Sequence, residues 1–386
     1  ATTSPRAAAP PLSIDGEGLS PRRQVECYLS SRKAPSPSME RGRVATGGEV
    51  AVIFAAALAL VLPACRSDGP RASARSERTR SVRLPSVTLH TVEVGARERP
   101  VRLALHGGPG LDHTYLRPWL DPLGDDARLV YVDLRGHGRS SAPPSAEGYT
   151  IPAAADDLAA LTRSLGVDAV DVLAHDFGAT VALSLAQRHP EVVRSLVLVA
   201  PLRDAAQVRA VATRTESTLG ATVWREIQDL STPQGTLRDA RSLPVLFRRL
   251  GPMWWHTPPS DAVIAGMSRS MVYRAEADAN FLQAAARWDA SLVAPEVRAP
   301  ALVISGRDDR TFLADESRGL ADALPHGRYV AIDAAGHLPF IERQGEFLRA
   351  VRDFWAGRAP VAPAAPTPRT RTRREGRLLT PVKGSG

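Results

Sequence analysis

Between Val167 and Thr180 the chain reads Val-Asp-Ala-Val-Asp-Val-Leu-Ala-His-Asp-Phe-Gly-Ala-Thr, and no other stretch restricts the fold as tightly. An apolar, β-branched run ends at Ala174-His175-Asp176-Phe177-Gly178, and the helix-like segment Ala179 to Arg188 follows at once. A strand, a sharp turn and a helix are therefore expected. Small residues two places before and two places after Asp176 permit a very tight turn, because a Cβ at either position would strike neighbouring backbone. Asp176 stands at its tip.

The ends of the chain read differently from its middle. Residues 1–80 are rich in Pro, Ser, Ala and Arg without sustained period, and residues 1–38 are expected to be upstream sequence if Met39 is the start. Residues 39–65 resemble an export signal. Arg41 and Arg43 supply a basic region, Val50 to Leu62 an apolar one, and Leu62-Pro63-Ala64-Cys65 a lipoprotein-type box with Cys65 as the lipidated residue. About thirteen apolar residues are too few for a span, which needs roughly twenty. The expectation is an exported protein, periplasmic or extracytoplasmic, with membrane attachment only through Cys65. Residues 66–80 read as a linker and 359–386 as a disordered basic tail.

The net charge of +8 belongs to those ends. Of 49 basic and 41 acidic residues, residues 1–80 hold 12 and 7 and residues 366–386 hold 6 and 1, which leaves 31 and 33 for residues 81–365. A body with a net charge of −2 carries no nucleic-acid footprint, so the expected partner is a small-molecule substrate. Cys27 and Cys65 are the only cysteines, and neither lies in the body. No disulfide framework or cysteine-based metal site is expected there, and no cofactor is called for.

Along the body, Ser86 to Val94 alternates as edge strands do. Val101 to Leu105 is a short strand running into His106-Gly107-Gly108-Pro109-Gly110, a tight loop whose backbone N–H groups lack side-chain cover. Arg128 to Asp133 is a buried-type strand ending in Leu134-Arg135-Gly136-His137-Gly138-Arg139-Ser140. Ile151 to Leu165 has helical spacing, with Asp156 and Asp157 read as outward-facing, and Val192 to Val199 is another strand. Alternation of this kind argues for an α/β fold with a mostly parallel, doubly wound sheet. Residues 202–297 break the rhythm with helical patterns alone, as an inserted lid domain would. The sheet then resumes in residues 298–358, with strands at Ala301 to Ser305 and Tyr329 to Asp333 and a closing helix from Phe347 to Trp355.

Asp176, Asp309 and His337 each follow a predicted strand. In an open α/β sheet those carboxyl ends share one edge, so residues distant in sequence converge there. A carboxylate nucleophile, an acid and a base beside a glycine-rich donor loop form a catalytic constellation. Asp204, after the strand ending at Val199, is an alternative seat for the acid.

On these motifs residues 81–201 and 298–358 resemble the α/β-hydrolase superfamily, with residues 202–297 as the inserted helical lid. His106-Gly107-Gly108-Pro109-Gly110 with the Asp133 to Ser140 stretch is similar to proline iminopeptidases. His106-Gly107-Gly108-Pro109 also fits the His-Gly-x-Pro loop of epoxide hydrolases, and His175-Asp176-Phe177-Gly178-Ala179 resembles their elbow. The resemblance to epoxide hydrolases implies an Asp176 nucleophile, His337 as base and Asp309 as acid. Backbone N–H groups of Phe177 and Gly108 would form the oxyanion hole.

A carboxylate is already charged and suits displacement at an sp³ carbon, leaving an alkyl ester that water then hydrolyses. Epoxide hydrolases place two lid tyrosines on the epoxide oxygen, whereas residues 202–297 contain Tyr273 alone, which becomes the candidate lid proton donor. Haloalkane dehalogenases put Trp where Phe177 stands; His256, Trp255 and Tyr273 imitate the lid halide pocket of fluoroacetate dehalogenases. An epoxide hydrolase is therefore the expectation. A dehalogenase, an iminopeptidase or esterase relative, and a catalytically silent ligand-binding homologue stay open, as does the oligomeric state.

Overall fold

A computed structural model describes residues 75–232 and 236–357. The expected export signal, Cys65 and the basic tail lie outside the described residues. Eight strands form one sheet in the order β1-β2-β4-β3-β5-β6-β7-β8. They are β1 (Glu77–Arg83), β2 (Thr88–Val94), β3 (Val101–Leu105), β4 (Arg128–Val132), β5 (Val170–His175), β6 (Val193–Val199), β7 (Ala301–Gly306) and β8 (Gly327–Ile332). β2 runs antiparallel to β1 and β4, and every pair from β4 to β8 is parallel.

Central strands of a parallel sheet are covered on both faces and so read as continuous apolar runs. All six residues of β5 are buried. Alternate side chains divide between two cores: Leu103, Leu105, Val172 and Ala174 pack on one face, and Ala104, Leu173, Val197 and Leu302 on the other. The helices covering them include α1 (Ile151–Ser164) and α2 (Phe177–Arg188). Thr150 starts α1 by accepting the Ala153 N–H at 3.2 Å, with Pro152 in the first turn.

Three features depart from the sequence reading. β1 begins at Glu77, inside the stretch read as linker; six of its seven residues are exposed, so it has no apolar alternation to announce it. Asp157 faces inward rather than outward. Its carboxylate receives Arg135 Nε and Nη2, each at 2.7 Å, so the buried charge is paired and hydrogen-bonded. Between β7 and β8 lies an additional helix, Ala314–Ala323, with few buried residues.

The insertion after β6 is built from α3 (Ala205–Leu219), α4 (Ala221–Leu230), α5 (Leu243–Arg249), α6 (Gly251–Trp254), α7 (Asp261–Ser270) and α8 (Ala275–Ala285). Its two stems are zipped together: Ala205 N–H donates to Trp288 O at 3.0 Å and Ala290 N–H to Arg203 O at 2.9 Å. The strand order supplies a place for a site beneath it. β3 is followed by its neighbour on one side, β4, and β5 by its neighbour on the other, β6, so the loops after β3 and β5 part and leave a crevice.

Candidate active site

Asp176 closes β5 and opens α2 with φ of 53° and ψ of −121°, a conformation that side chains seldom adopt. Its backbone is held from both sides: the N–H donates to Val199 O at 2.9 Å, and the carbonyl accepts the Ala179 N–H at 3.0 Å. The residue is 9% exposed. Gly108 N–H donates to Oδ2 at 2.9 Å, and the Phe177 N–H also points at the carboxylate. The glycine at 107 is required by closeness, since a Cβ there would lie 2.6 Å from both Cβ and Oδ2 of Asp176.

Asp309 and His337 follow β7 and β8 and meet beside this turn. His337 Nδ1 lies 2.9 Å from Asp309 Oδ2. The second Asp309 oxygen accepts the N–H groups of Thr311 at 2.8 Å and Phe312 at 3.1 Å, which fixes the carboxylate. Nitrogen and oxygen donor atoms of His175, Asp176 and His337 lie within 4.8 Å of one another. The chain thus brings Asp176, Asp309, His337 and the N–H groups of Gly108 and Phe177 to one place.

Burial governs the electrostatics. It pushes the Asp176 carboxyl up to about 6, against the lowering effect of His337 and the Gly108 N–H. Burial disfavours the His337 cation, but the charge and hydrogen bond of Asp309 outweigh it and hold that imidazole above its ordinary value. Near neutral pH Asp176 can therefore be ionised, and His337 holds a proton more readily than a free imidazole does.

Asp204 is elsewhere. It caps α3 by accepting the Gln207 N–H at 2.7 Å and pairs with Arg203 at 2.7 Å, so the alternative seat for the acid is not used. His256 also departs from expectation. Its ring meets Asp308 at 2.9 Å with both groups nearly half exposed, while Trp255 and Tyr273 line the cavity. His106 lies under the donor loop, where its Nε2 accepts the Leu134 N–H at 3.1 Å.

Two residues escaped the sequence reading. Tyr115 Oη accepts the Gly107 N–H at 2.6 Å and lies 2.7 Å from His175 Nδ1. His175 Nε2 lies 3.0 Å from the carbonyl of His337, so it must carry the proton. Burial, then the neighbouring His337, keeps His175 neutral, and the Tyr115 hydroxyl therefore donates to Nδ1. One chain of hydrogen bonds thereby joins the donor loop, the turn and the base. His175 was visible in the motif at 175–179; nothing in the local pattern marks Tyr115. The other is Asp278, which receives the Tyr273 hydroxyl.

Above Asp176 lies a cavity of about 730 Å³, lined by α3, α4, α5 and the turn at 251–255, with Trp224, Ile227, Leu246, Phe247, Trp255 and Leu282 among its walls. Its surface is mainly apolar; the polar lining includes Asp176, His337, Tyr273 and Asp278, together with Gln228, Ser231, Thr232 and Arg238. Among the described residues no helix is long and apolar enough to cross a membrane.

Comparison with known proteins bears on the family and the fold. Epoxide hydrolase 1 of Caenorhabditis elegans is 34% identical over 119 residues, 31% of this chain and 29% of that protein, so the chain spans under a third of the relative's length. A proline iminopeptidase of Heyndrickxia coagulans is 23% identical over 265 residues, 65% of this chain and 89% of that one. The structure of a proline iminopeptidase-related protein from Thermus thermophilus superposes with a TM-score of 0.59 at 26% identity, covering 74% of this chain and 99% of the other. Residues 103–344 match the family described as alpha/beta hydrolase fold, and with the sheet order and the turn at Asp176 in place, this chain belongs to the α/β-hydrolase family and is similar to both epoxide hydrolases and proline iminopeptidases.

Proposed function

We propose that this hydrolase opens epoxides through a covalent alkyl ester on Asp176. The observation that carries the reading is the identity and seat of that residue: a carboxylate at the turn's tip, with Oδ2 on the Gly108 N–H. An attacking carboxylate needs no base to activate it. Oδ1 displaces the epoxide oxygen from carbon, the electron pair of the broken C–O bond goes to that oxygen, and the oxygen takes a proton from Tyr273. His337 next removes a proton from a water as it attacks the ester's carbonyl carbon. The N–H groups of Gly108 and Phe177 receive the developing oxyanion. Collapse expels the diol oxygen, which takes the proton from His337; Asp176 is released as an acid carrying one oxygen from water, and the proton it then loses to solvent balances the one Tyr273 gave and must recover. Asp309 keeps the imidazole in the required tautomer throughout.

The apolar cavity favours an uncharged, lipophilic epoxide over a carboxylate-bearing substrate. The test is to incubate His337→Gln with a terminal epoxide and weigh the intact protein. An adduct of the epoxide's mass, absent in His337→Gln/Asp176→Asn, is expected; no adduct under any condition would overturn the reading.

A second reading, acyl-ester or aminoacyl hydrolysis, is favoured by the longer match to the iminopeptidase. It needs a nucleophile other than Asp176. Activity on such substrates that survives Asp176→Ala would support it.

A further inference from the structure

In the cavity roof Tyr273 is already committed. Its hydroxyl accepts the Leu237 N–H at 2.9 Å and donates to Asp278 Oδ2. A phenol has one proton, so while Asp278 is ionised the Tyr273 proton is spent on it and none is offered to a substrate. If Asp278 is protonated, the direction reverses. The carboxylic acid donates to the Tyr273 oxygen, and the Tyr273 O–H is released toward the cavity.

The pair also sits close to the chemistry. A Cβ on Gly110, two residues beyond the N–H that holds Asp176, would lie 2.7 Å from both Asp278 Cβ and Tyr273 Cε2. Both residues line the same cavity as Asp176 and His337. We propose that Asp278 is the proton reservoir for Tyr273, so that the two act as a relay in place of a second proton-donating hydroxyl. This rests on the epoxide-opening reading above.

The relay balances in protons. As Asp176 Oδ1 bonds to carbon and the C–O bond breaks, the leaving oxygen takes the Tyr273 proton. Tyr273 takes the Asp278 proton, and Asp278 is left as a carboxylate to be reprotonated from solvent.

Burial pushes the Asp278 carboxyl up to about 6, although the Tyr273 hydroxyl and Leu237 N–H oppose the rise, so the acid form is accessible near neutrality. The other titratable groups around the pair are His175, Asp176, His337, Tyr115 and Arg238 in the shared cavity. On the adjoining segments, Arg274 donates to Gly138 O, Glu276 engages Tyr149, and Arg139 is paired with Asp112.

The experiment compares 1,2-epoxydecane with 1-bromodecane in the His337→Gln background, reading the rate at which each alkylates the protein by intact mass. Opening the epoxide requires a proton on the leaving oxygen; expelling bromide does not. The epoxide-to-bromide ratio is measured within one sample, so loss of folded protein cancels. The expected ratio falls about tenfold or more between pH 6 and pH 8, while bromide alkylation alone rises with pH toward a plateau as Asp176 ionises, at higher pH than with His337 present because His337 lowers the Asp176 value. Adding Asp278→Asn lowers the ratio at pH 6 and removes its dependence on pH; Tyr273→Phe lowers it at every pH. A ratio that is flat with pH and unmoved by Asp278→Asn, with Asp176 still alkylated, overturns the relay and leaves the nucleophile reading standing. Absence of alkylation by either probe overturns both.

Discussion

Gly107 and Asp176 touch so closely that a Cβ on the glycine would lie 2.6 Å from the aspartate's Cβ. Gly107→Ala must therefore move the nucleophile or the donor loop by several tenths of an ångström. Misplacement by a full ~1 Å can cost about a hundredfold in rate, so a shift of this size costs up to about that much. The expected outcome is a fall of up to that order in kcat/KM toward a terminal epoxide, with a cooperative thermal transition retained, measured by steady-state kinetics beside differential scanning calorimetry.

His337 and Asp309 serve the second half of the reaction in the proposed mechanism. Asp309→Asn leaves a carbonyl or amide beside His337 Nδ1 and loosens control of the tautomer. Hydrolysis of the ester should slow by about 10³ to 10⁴-fold while alkylation of Asp176 proceeds, so the adduct accumulates in single-turnover mass spectra. Equal slowing of both steps would assign Asp309 a purely structural role.

The raised carboxyl of Asp176 is also a statement about stability. Its folded pKa, about 6, lies above the ordinary 3.8, so stability is fully present below pH 3.8 and is lost as pH rises through 6. A shift of that size corresponds to roughly 3 kcal/mol at most. Asp176→Asn should therefore raise the thermal midpoint at pH 8 and leave it nearly unchanged at pH 4.

Tyr115→Phe removes one acceptor and one donor at once, stranding the buried Gly107 N–H and His175 Nδ1. Leaving such groups unpaired costs about 1–3 kcal/mol each. Urea denaturation should show a loss of about 2 kcal/mol or more, together with a drop in kcat as the loop and base lose their common tether.

The α/β fold and the meeting of Asp176, Asp309 and His337 were legible because parallel strands advertise themselves. Unbroken apolar runs followed by glycines mark strand ends, and the topology gathers those ends on one edge. Pairwise contacts were less legible. Asp157 reads as a surface charge because helical periodicity reports the average face of a residue, not the Arg135 that compensates its burial. His256 stands beside two cavity residues in sequence, yet the extended Trp255 turns its neighbour outward to Asp308. Asp204 follows a strand, as an acid should, but its side chain is consumed in starting a helix. Tyr115 and Asp278 belong to no motif, and each is recognised only through a partner far along the chain or across a turn.

The short lid turn at 252–254 carries more than a roof. Pro252 O and Met253 O receive Arg310, the residue after Asp309, at 2.8 and 3.1 Å, and Trp254 O receives the His337 N–H at 2.7 Å. The loops that bear the acid and the base are thus pinned to one turn of the lid. A motion that lifted this turn to admit substrate would also dismantle the dyad beneath it. The turn at 252–254 is thus the fixed side of the roof, and insertions or deletions before Gly251 or after Trp255 are expected to disturb the acid and base less than changes within it.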